Sequence, residues 1–195
     1  NSGDGTFRDV TAAWGLDLEL YGMGIAVGDY DGDGDDDLFL AALGPDHLLR
    51  NDGLRFTDVT ESAGAAVRGA DDGYSSSAGF FDADGDGDLD LLVLEYVVWS
   101  AEADRAQSFT LAGLDRAYGP PDSFAGAVPR LLRNDGDGRF TDASAEAGLT
   151  ADAFASGIPK SLGLVFADLD GDRCLDVIVA SDTTPNLLLA NHCDG

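Results

Sequence analysis

Short apolar stretches alternate with turn-forming residues along the whole chain. Gly, Asn and Asp bound these stretches, a pattern typical of β-strands joined by tight turns. The best helical candidate, 101–114, is only weakly amphipathic. The pattern therefore predicts an all-β protein. Each of three Asp-rich loops is preceded by one apolar stretch and followed by another. The preceding stretches are 24–27, 78–81 and 162–166, and the following stretches are 38–41, 91–97 and 177–180.

Two further segments recur in step with the Asp-rich loops. A Leu-Leu pair closed by Asn is repeated, and so is a Phe-x-Asp segment that continues into a small-residue turn. Each period thus contains four short strands, and its length is that of a four-stranded β-propeller blade. The Leu-Leu segments lie at 48–51, 131–134 and 187–191, and the Phe segments at 7–11, 56–60 and 140–144.

The repeats predict one propeller fragment rather than several domains. Three blades cannot close a ring, since rings begin at about four blades. Either further blades lie outside this chain or two copies share strands, and we favour a trimmed piece of a longer propeller because bare blade edges invite association. The predicted unit is 1–195, with repeats at 12–60, 66–144 and 150–195, an insertion at 99–129, and a strand within 1–11 that completes a neighbouring blade.

The charge narrows the possible partners. The formal net charge is −26, and only five of the 37 acidic residues are Glu. Asp is poor in helices but good in turns and as a ligand for hard cations. No basic patch is available to neutralise phosphates, so nucleic-acid binding is not expected, and no apolar run is long enough to span a membrane.

Each Asp-rich loop carries acidic side chains at alternate positions. Carboxylates at positions 1, 3, 5 and 9 and the carbonyl at position 7 can converge on one ion, because Gly residues permit a tight turn. Oxygen-only ligand sets of this size suit Ca²⁺, so we expect about three calcium ions per chain. The predicted ligands are Asp29, Asp31, Asp33, Asp35 and Asp37; Asp82, Asp84, Asp86, Asp88 and Asp90; and Asp168, Asp170, Asp172, Cys174 and Asp176.

These loops differ from EF-hands and from one another. An EF-hand needs Glu at position 12 and leads into a helix, whereas these loops have Leu or Val there and lead into a strand. A solvated acidic turn without metal is the simpler alternative, but four carboxylates in one short loop would repel strongly. Arg173 replaces Gly at position 6 of the third loop, so we expect that site to be the weakest.

The repeated loops resemble the FG-GAP/VCBS repeat family, whose calcium-loop blades also occur in integrin α-subunit propellers. Within it, the segment from Asp182 to Asn186 and the segment from Tyr118 to Pro121, followed by 131–134, resemble the cartilage acidic protein (ASPIC/UnbV-associated) group. The resemblance implies a secreted, calcium-binding propeller for adhesion, scaffolding or protein–protein interaction. It implies no enzymatic activity.

The leading hypothesis is therefore a secreted, periplasmic or cell-surface interaction module whose partner is a protein or glycan. The alternative is a calcium-dependent propeller that binds or processes carbohydrate through aromatic side chains of the insertion. We favour a packing role for these side chains, in which they bury the insertion against its own blade. An enzyme is not predicted, since neither His47 nor His192 lies in a nucleophile motif and Ser75–Ser77 lack a nucleophile elbow. The aromatic residues in question are Trp99, Phe109, Tyr118 and Phe124.

The two cysteines bear on the compartment. Cys174 and Cys193 match neither a redox nor a haem-attachment motif. If the chain is secreted, a disulfide between them is favoured over two free thiols.

Overall fold

A computed structural model of the chain describes residues 3–66, 73–113, 115, 117 and 119–193. These residues form three antiparallel sheets with few helical turns, which confirms the prediction of all-β propeller blades in an unclosed ring. The first sheet, blade 1, contains β1 (Tyr21–Gly28), β2 (Asp37–Leu43), β3 (His47–Asn51) and β4 (Phe56–Asp58). Blade 2 contains β5 (Ser75–Phe81), β6 (Asp90–Glu95), β7 (Arg130–Asn134) and β8 (Phe140–Asp142). Blade 3 contains β9 (Ser161–Ala167), β10 (Asp176–Ser181) and β11 (Leu187–Leu189).

Each sheet is an up-and-down meander in chain order, and equivalent strands share one register. Leu38 pairs with Leu49 in blade 1, Leu91 with Leu132 in blade 2, and Val177 with Leu189 in blade 3. β1 packs on β5 and β5 packs on β9, so the blades are stacked in chain order. Blade 3 has three strands among the described residues, in agreement with the sequence, where no Phe segment follows the third Leu-Leu segment.

The described residues 3–10 form no strand in the single chain, so the predicted strand within 1–11 that completes a neighbouring blade stays a prediction. Phe7 is 84% exposed, and the segment leads into the one-turn helix α1 (Thr11–Trp14). A strand needs a neighbour because its main-chain N–H and C=O groups otherwise have no partner. The edge strands of blade 1 are β1 and β4, and neither pairs with this segment.

The core lies between blades rather than within them. One apolar cluster, which includes Phe39, Leu91 and Phe140, joins blades 1 and 2, and another, which includes Leu92 and Val177, joins blades 2 and 3. Blade 2 is covered on both faces, so every residue of β6 is buried. Full burial of each apolar side chain of β6 contributes about 1.5–3 kcal/mol, so the stacking of blades is a main source of the stability of the sheets.

Polar links between blades accompany the apolar core. The Ser76 hydroxyl donates to the main-chain oxygen of Ser161 at 2.7 Å, which joins blade 2 to blade 3. The Asp46 carboxylate accepts from the Ala42 N–H and from the Ser75 hydroxyl, both at 2.8 Å, which joins blade 1 to blade 2. Asp46 is 8% exposed, so these two donors replace the water that it loses.

The insertion connects β6 to β7 and contains a helix that the weak sequence pattern did not resolve. α2 (Ala101–Ala106) begins after Ser100, whose hydroxyl accepts a hydrogen bond from the Ala103 N–H at 3.1 Å. The insertion is tied to blade 3 by Lys160, the only lysine, whose ammonium donates to the Pro121 carbonyl at 2.9 Å. Single 3₁₀ turns lie at Pro121–Ser123 and Ala151–Ala153.

Asp46 predicts a specific pH dependence of stability. Burial raises its pKa from 3.8 to about 6, despite the hydrogen bonds from Ser75 and Ala42. Between about pH 4 and pH 6 the folded state therefore binds more protons than the unfolded state, and the contribution of Asp46 to stability falls as the pH rises. We expect Asp46→Asn, which keeps the shape and cannot ionise, to be about 2 kcal/mol more stabilising at pH 7 than at pH 4, relative to the unchanged chain.

Urea unfolding at a series of pH values measures this difference. Asp137→Asn is the matched control, since the side chain of Asp137 is 65% exposed and should leave the pH profile unchanged. Parallel pH profiles of Asp46→Asn and the unchanged chain would contradict the assignment.

Candidate metal centres

Each Asp-rich loop joins the first strand of a blade to the second, and its nine positions begin at Asp29, Asp82 and Asp168. Positions 4 and 6 turn through positive φ, at 72° and 96° for Gly32 and Gly34. Glycine adopts this conformation without a steric penalty, so the backbone can wind around a small centre.

The position-1 carboxylate organises the turn from inside. The two oxygens of Asp29 accept from the N–H groups of Asp33 and Gly34, both at 3.0 Å. Asp82 accepts from Gly85 and Gly87 at 2.7 and 3.1 Å. A carboxylate offers about four lone-pair sites, so each of these side chains keeps acceptor capacity for a cation. Asp168 accepts equivalently from Gly171 at 2.7 Å and from Arg173 at 3.1 Å.

Positions 1, 3 and 5 converge in the first two loops. One carboxylate oxygen from each of Asp29, Asp31 and Asp33 lies within 4.8 Å of the other two, and the same holds for Asp82, Asp84 and Asp86. These groups are partly or fully exposed, so an ion can enter from solvent. Burial raises the pKa of Asp31, and the negative charge of the neighbouring Asp33 adds to this effect.

The third loop brings together a different set. Asp170, Asp172 and His192 place one ligand atom each within 4.8 Å of the others, and Asp168 is not in that group. His192 Nδ1 lies 3.1 Å from Asp172 Oδ2. His192 was not predicted as a site residue from the sequence, and its position directly after the Asn of the third Leu-Leu segment was the only available signal.

The third loop also carries the strain that the sequence predicted. Arg173 occupies position 6 with φ of 79°, where the other two loops have Gly34 and Gly87. A non-glycine residue in this region costs on the order of 1–3 kcal/mol.

The position-7 residues are held by their backbone. Their N–H groups donate to the position-5 carboxylate: Asp35 to Asp33 at 2.9 Å, Asp88 to Asp86 at 2.9 Å, and Cys174 to Asp172 at 2.8 Å. Cys174 also forms a disulfide with Cys193, with 5.8 Å between their Cα atoms, so the segment that follows β11 is tied to the third loop.

The position-9 aspartates have a different environment from the rest. Asp37, Asp90 and Asp176 are 0%, 1% and 3% exposed, and each accepts two main-chain N–H groups. One donor lies at position 2 of the same loop and the other is the Asn that closes the third strand; for Asp90 these are Ala83 at 2.9 Å and Asn134 at 2.8 Å. Each position-9 side chain therefore ties the loop to its sheet.

Burial of position 9 has an electrostatic consequence. It raises the pKa of Asp37 and of Asp90 to about 6, in spite of the main-chain donors that favour the ionised form. A cation beside the loop would favour the ionised carboxylates.

The Asn residues of the Leu-Leu segment were not assigned a role from sequence. The side chain of Asn134 donates to the main-chain oxygen of Tyr30 at 2.8 Å, and that of Asn191 donates to the oxygen of Ala83 at 2.9 Å. Both acceptors lie at position 2 of the preceding blade's loop, so each Asn links its own blade to the metal loop of its neighbour. Their repetition in all three Leu-Leu segments was the signal for such a role.

The histidine and serine residues considered for catalysis and the aromatic residues of the insertion lie outside the Asp-rich loops. His47 Nδ1 lies 2.7 Å from Asp58 Oδ2, while Ser75 and Ser76 donate to Asp46 and to main-chain oxygens, so these groups do not form a nucleophile–base pair. Trp99, Phe109 and Phe124 line one cavity of about 620 Å³ beneath the insertion, whereas Tyr118 lies outside the described residues.

Three stacked antiparallel blades, each opened by an acidic loop, define a propeller-type repeat protein. The model of the FG-GAP-like repeat family matches residues 1–40, 29–93 and 114–179, which is more than half of the chain. The chain therefore belongs to the FG-GAP-like repeat family, whose repeats generally form non-enzymatic, propeller-type modules for protein interaction. No curated protein matches the chain. Among the described residues, no helix has the length and apolar character needed to cross a bilayer.

The geometry separates an anchoring role from a ligand role within one loop. Asp90→Asn places an amide N–H₂ against one of two buried N–H donors, so we expect a loss of about 2 kcal/mol even in excess EDTA. Asp84→Asn is the matched control, because Asp84 is half-buried and Asn retains the oxygen that accepts from Asp86. Urea unfolding in EDTA measures both, and equal losses in the two variants would contradict the distinction.

Proposed function

We propose that this chain is a secreted calcium-binding propeller module for adhesion, scaffolding or protein–protein interaction. The observation that carries the proposal is the convergence of carboxylates in repeated loops at equivalent places in the blades. Three like charges within a few ångströms repel one another, and a divalent cation removes that cost. Oxygen donors on an adaptable loop suit Ca²⁺ better than Mg²⁺, Zn²⁺ or copper.

Asp29, Asp31 and Asp33 would hold the ion in the first loop, and Asp82, Asp84 and Asp86 in the second. The position-7 carbonyls of Asp35, Asp88 and Cys174 and the position-9 carboxylates are the further ligands that the sequence pattern predicts. In the third loop Asp168, Asp170 and Asp172 are the predicted ligands, and the proximity of His192 and Arg173 supports a weaker site there. Calcium would stiffen each loop, and through the Asn residues of the next blade it would stiffen the junction between blades.

Secretion is supported by the disulfide, because disulfides persist in oxidising compartments. It is also consistent with calcium sites of the weak class found in extracellular modules, with Kd on the order of 10⁻⁴–10⁻³ M. Within the family, we propose that the chain is most like the cartilage acidic protein (ASPIC/UnbV-associated) group. The segment that carries this resemblance links blades 2 and 3, since the Asp182 carboxylate accepts from the Tyr96 hydroxyl at 2.6 Å.

Calcium titration tests the proposal. We expect about three ions per chain and a gain of about 1 kcal/mol of stability per site when calcium is several-fold above Kd. Asp86→Asn should lower the stoichiometry to about two ions, while Asp137→Asn, outside the loops, should leave it unchanged. Calorimetry and thermal unfolding in CaCl₂, in MgCl₂ and in EDTA make the measurement. If calcium produced neither binding heat nor a shift in melting temperature, the proposal would be wrong and the loops would be solvated turns.

A second candidate is a calcium-dependent carbohydrate-binding propeller, and one observation favours it. Trp99, Phe109 and Phe124 are half-buried around the same cavity, and a partly exposed aromatic ring is a suitable platform for the apolar face of a sugar. Glycan-array binding that is lost both in EDTA and in Trp99→Ala, with calcium binding intact, would support this candidate. Binding unaffected by Trp99→Ala would leave the aromatic residues as packing for the insertion.

A further inference from the structure

Phe140, in the fourth strand of blade 2, shows how a fourth strand seals the junction between two blades. It is 6% exposed, and the centre of its ring lies 5.5 Å from that of Tyr30 in blade 1. Its N–H donates to the Ala63 carbonyl at 2.7 Å, in the turn that follows β4. The ring belongs to a cluster with six side chains that matter below: Tyr30, Leu48, Ala63, Ala65, Leu91 and Leu132.

At the equivalent place between blades 2 and 3 there is a cavity of about 260 Å³, which we call the edge socket. Six of its lining side chains align, through the sequence repeat, one by one with the six that surround Phe140. An apolar cavity of ~150 Å³ already accepts benzene, so the edge socket has room for an aromatic ring. The six, in matching order, are Ala83, Leu131, Ala147, Leu149, Val177 and Leu189.

The segment that carries Phe7 has the features of a fourth strand without a sheet. The Asp9 carboxylate accepts from the N–H and the hydroxyl of Thr11 at 2.9 and 2.6 Å, as Asp58 does from Thr60 after β4. The turn after it, at Gly15, passes so close to β4 that an added Cβ would lie 3.0 Å from the Phe56 carbonyl oxygen. The turn after β4, at Gly64, passes the Phe140 carbonyl oxygen in the same way. The segment therefore lies, relative to blade 1, where the fourth strand of a preceding blade would lie, as β4 does relative to blade 2.

Both ends of the blade stack present apolar faces whose equivalents inside the stack are covered. On blade 1 the first end face contains Ile25 and Val27, which are 64% and 58% exposed. On blade 3 the last end face contains Val165, Ile178 and Leu188, which are 54%, 36% and 61% exposed. Contiguous exposed apolar surface of this kind marks an interaction site.

We propose that two copies of this chain associate head to tail. Residues 7–11 of one copy add to β11 of the other as its fourth strand, with Phe7 in the edge socket, and the first end face packs on the last end face. A single copy cannot do this with its own segment, because the stacking order places blade 1 and blade 3 at opposite ends. Strand addition supplies main-chain hydrogen bonds to an open sheet edge and the ring supplies buried apolar area.

The contact is heterologous, because the two copies use different surfaces. The net charge of −26 on each copy opposes association, whereas the matched faces are apolar. Association should therefore strengthen as added salt screens the repulsion, in contrast to a contact built on ion pairs.

Sedimentation velocity over a range of concentrations and salt tests the proposal on the whole chain. We expect a reversible, concentration-dependent assembly that Phe7→Ala weakens by about 100-fold, because a buried aromatic anchor is lost. The melting temperature of the single chain should not change, since Phe7 is 84% exposed there. Leu54→Ala is the matched control: Leu54 is 66% exposed and lies in neither end face, so its removal should leave assembly unchanged.

Complementation distinguishes a head-to-tail contact from a symmetric one. Leu188→Asp places a charge on the last end face and should likewise weaken self-association strongly. An equimolar mixture of Phe7→Ala and Leu188→Asp should nevertheless form a one-to-one dimer, because each variant retains the end that the other lacks. A mixture that stays monomeric while the unchanged chain assembles would overturn the head-to-tail arrangement.

Two further outcomes would overturn the proposal. One is a chain that remains monomeric at every concentration. If a synthetic peptide of residues 4–15 nevertheless bound to such a chain, the edge socket would accept a strand from another source. The other is assembly that survives Phe7→Ala undiminished, which would place the contact on another surface.

Discussion

The buried aspartate at the end of each acidic loop is the interaction on which the rest of the structure depends. Asp37, Asp90 and Asp176 each bind one N–H of their own loop and one N–H of the third strand, in a place closed to water. An unsatisfied buried donor or acceptor costs on the order of 1–3 kcal/mol, so the loop and the strand must be positioned together. The three carboxylates above each anchor in the first two loops converge because their loop is held at both ends.

The same constraint links one blade to the next. The Asn whose N–H reaches the buried aspartate also sends its side chain to the loop of the preceding blade, as Asn134 does to Tyr30 and Asn191 to Ala83. Apolar side chains then fill the space between the sheets, with the rings of Phe81 and Phe166 stacked at 4.5 Å. Because loops and blade interfaces share these residues, a cation that stiffens a loop would also stiffen the contact with the neighbouring blade. This coupling is the physical basis for the proposed structural role of calcium.

Stacking of repeated blades also explains why exposed apolar surface lies on the two outer faces of the described blade stack. Blade 2 has both faces covered by neighbouring blades, whereas blades 1 and 3 each have only one face covered. The surface left at the ends is therefore built from the same residue positions that form the core elsewhere. In a repeat protein, the positions that form the apolar interior are exposed on the terminal repeats unless a capping element covers them.

Periodic local signals in the sequence determined the strands, their order, the acidic loops and the three blades, because turns and alternating short apolar runs are local properties. The glycine positions of the loops and the strain at Arg173 followed from the same local logic. Only the tertiary structure decided which acidic side chains are buried anchors and which are exposed, since Asp86 and Asp90 look alike in the repeat. It alone brought His192 to the third loop and left residues 3–10 without a partner strand. Burial and pairing depend on the neighbouring blade, which a sequence pattern does not contain.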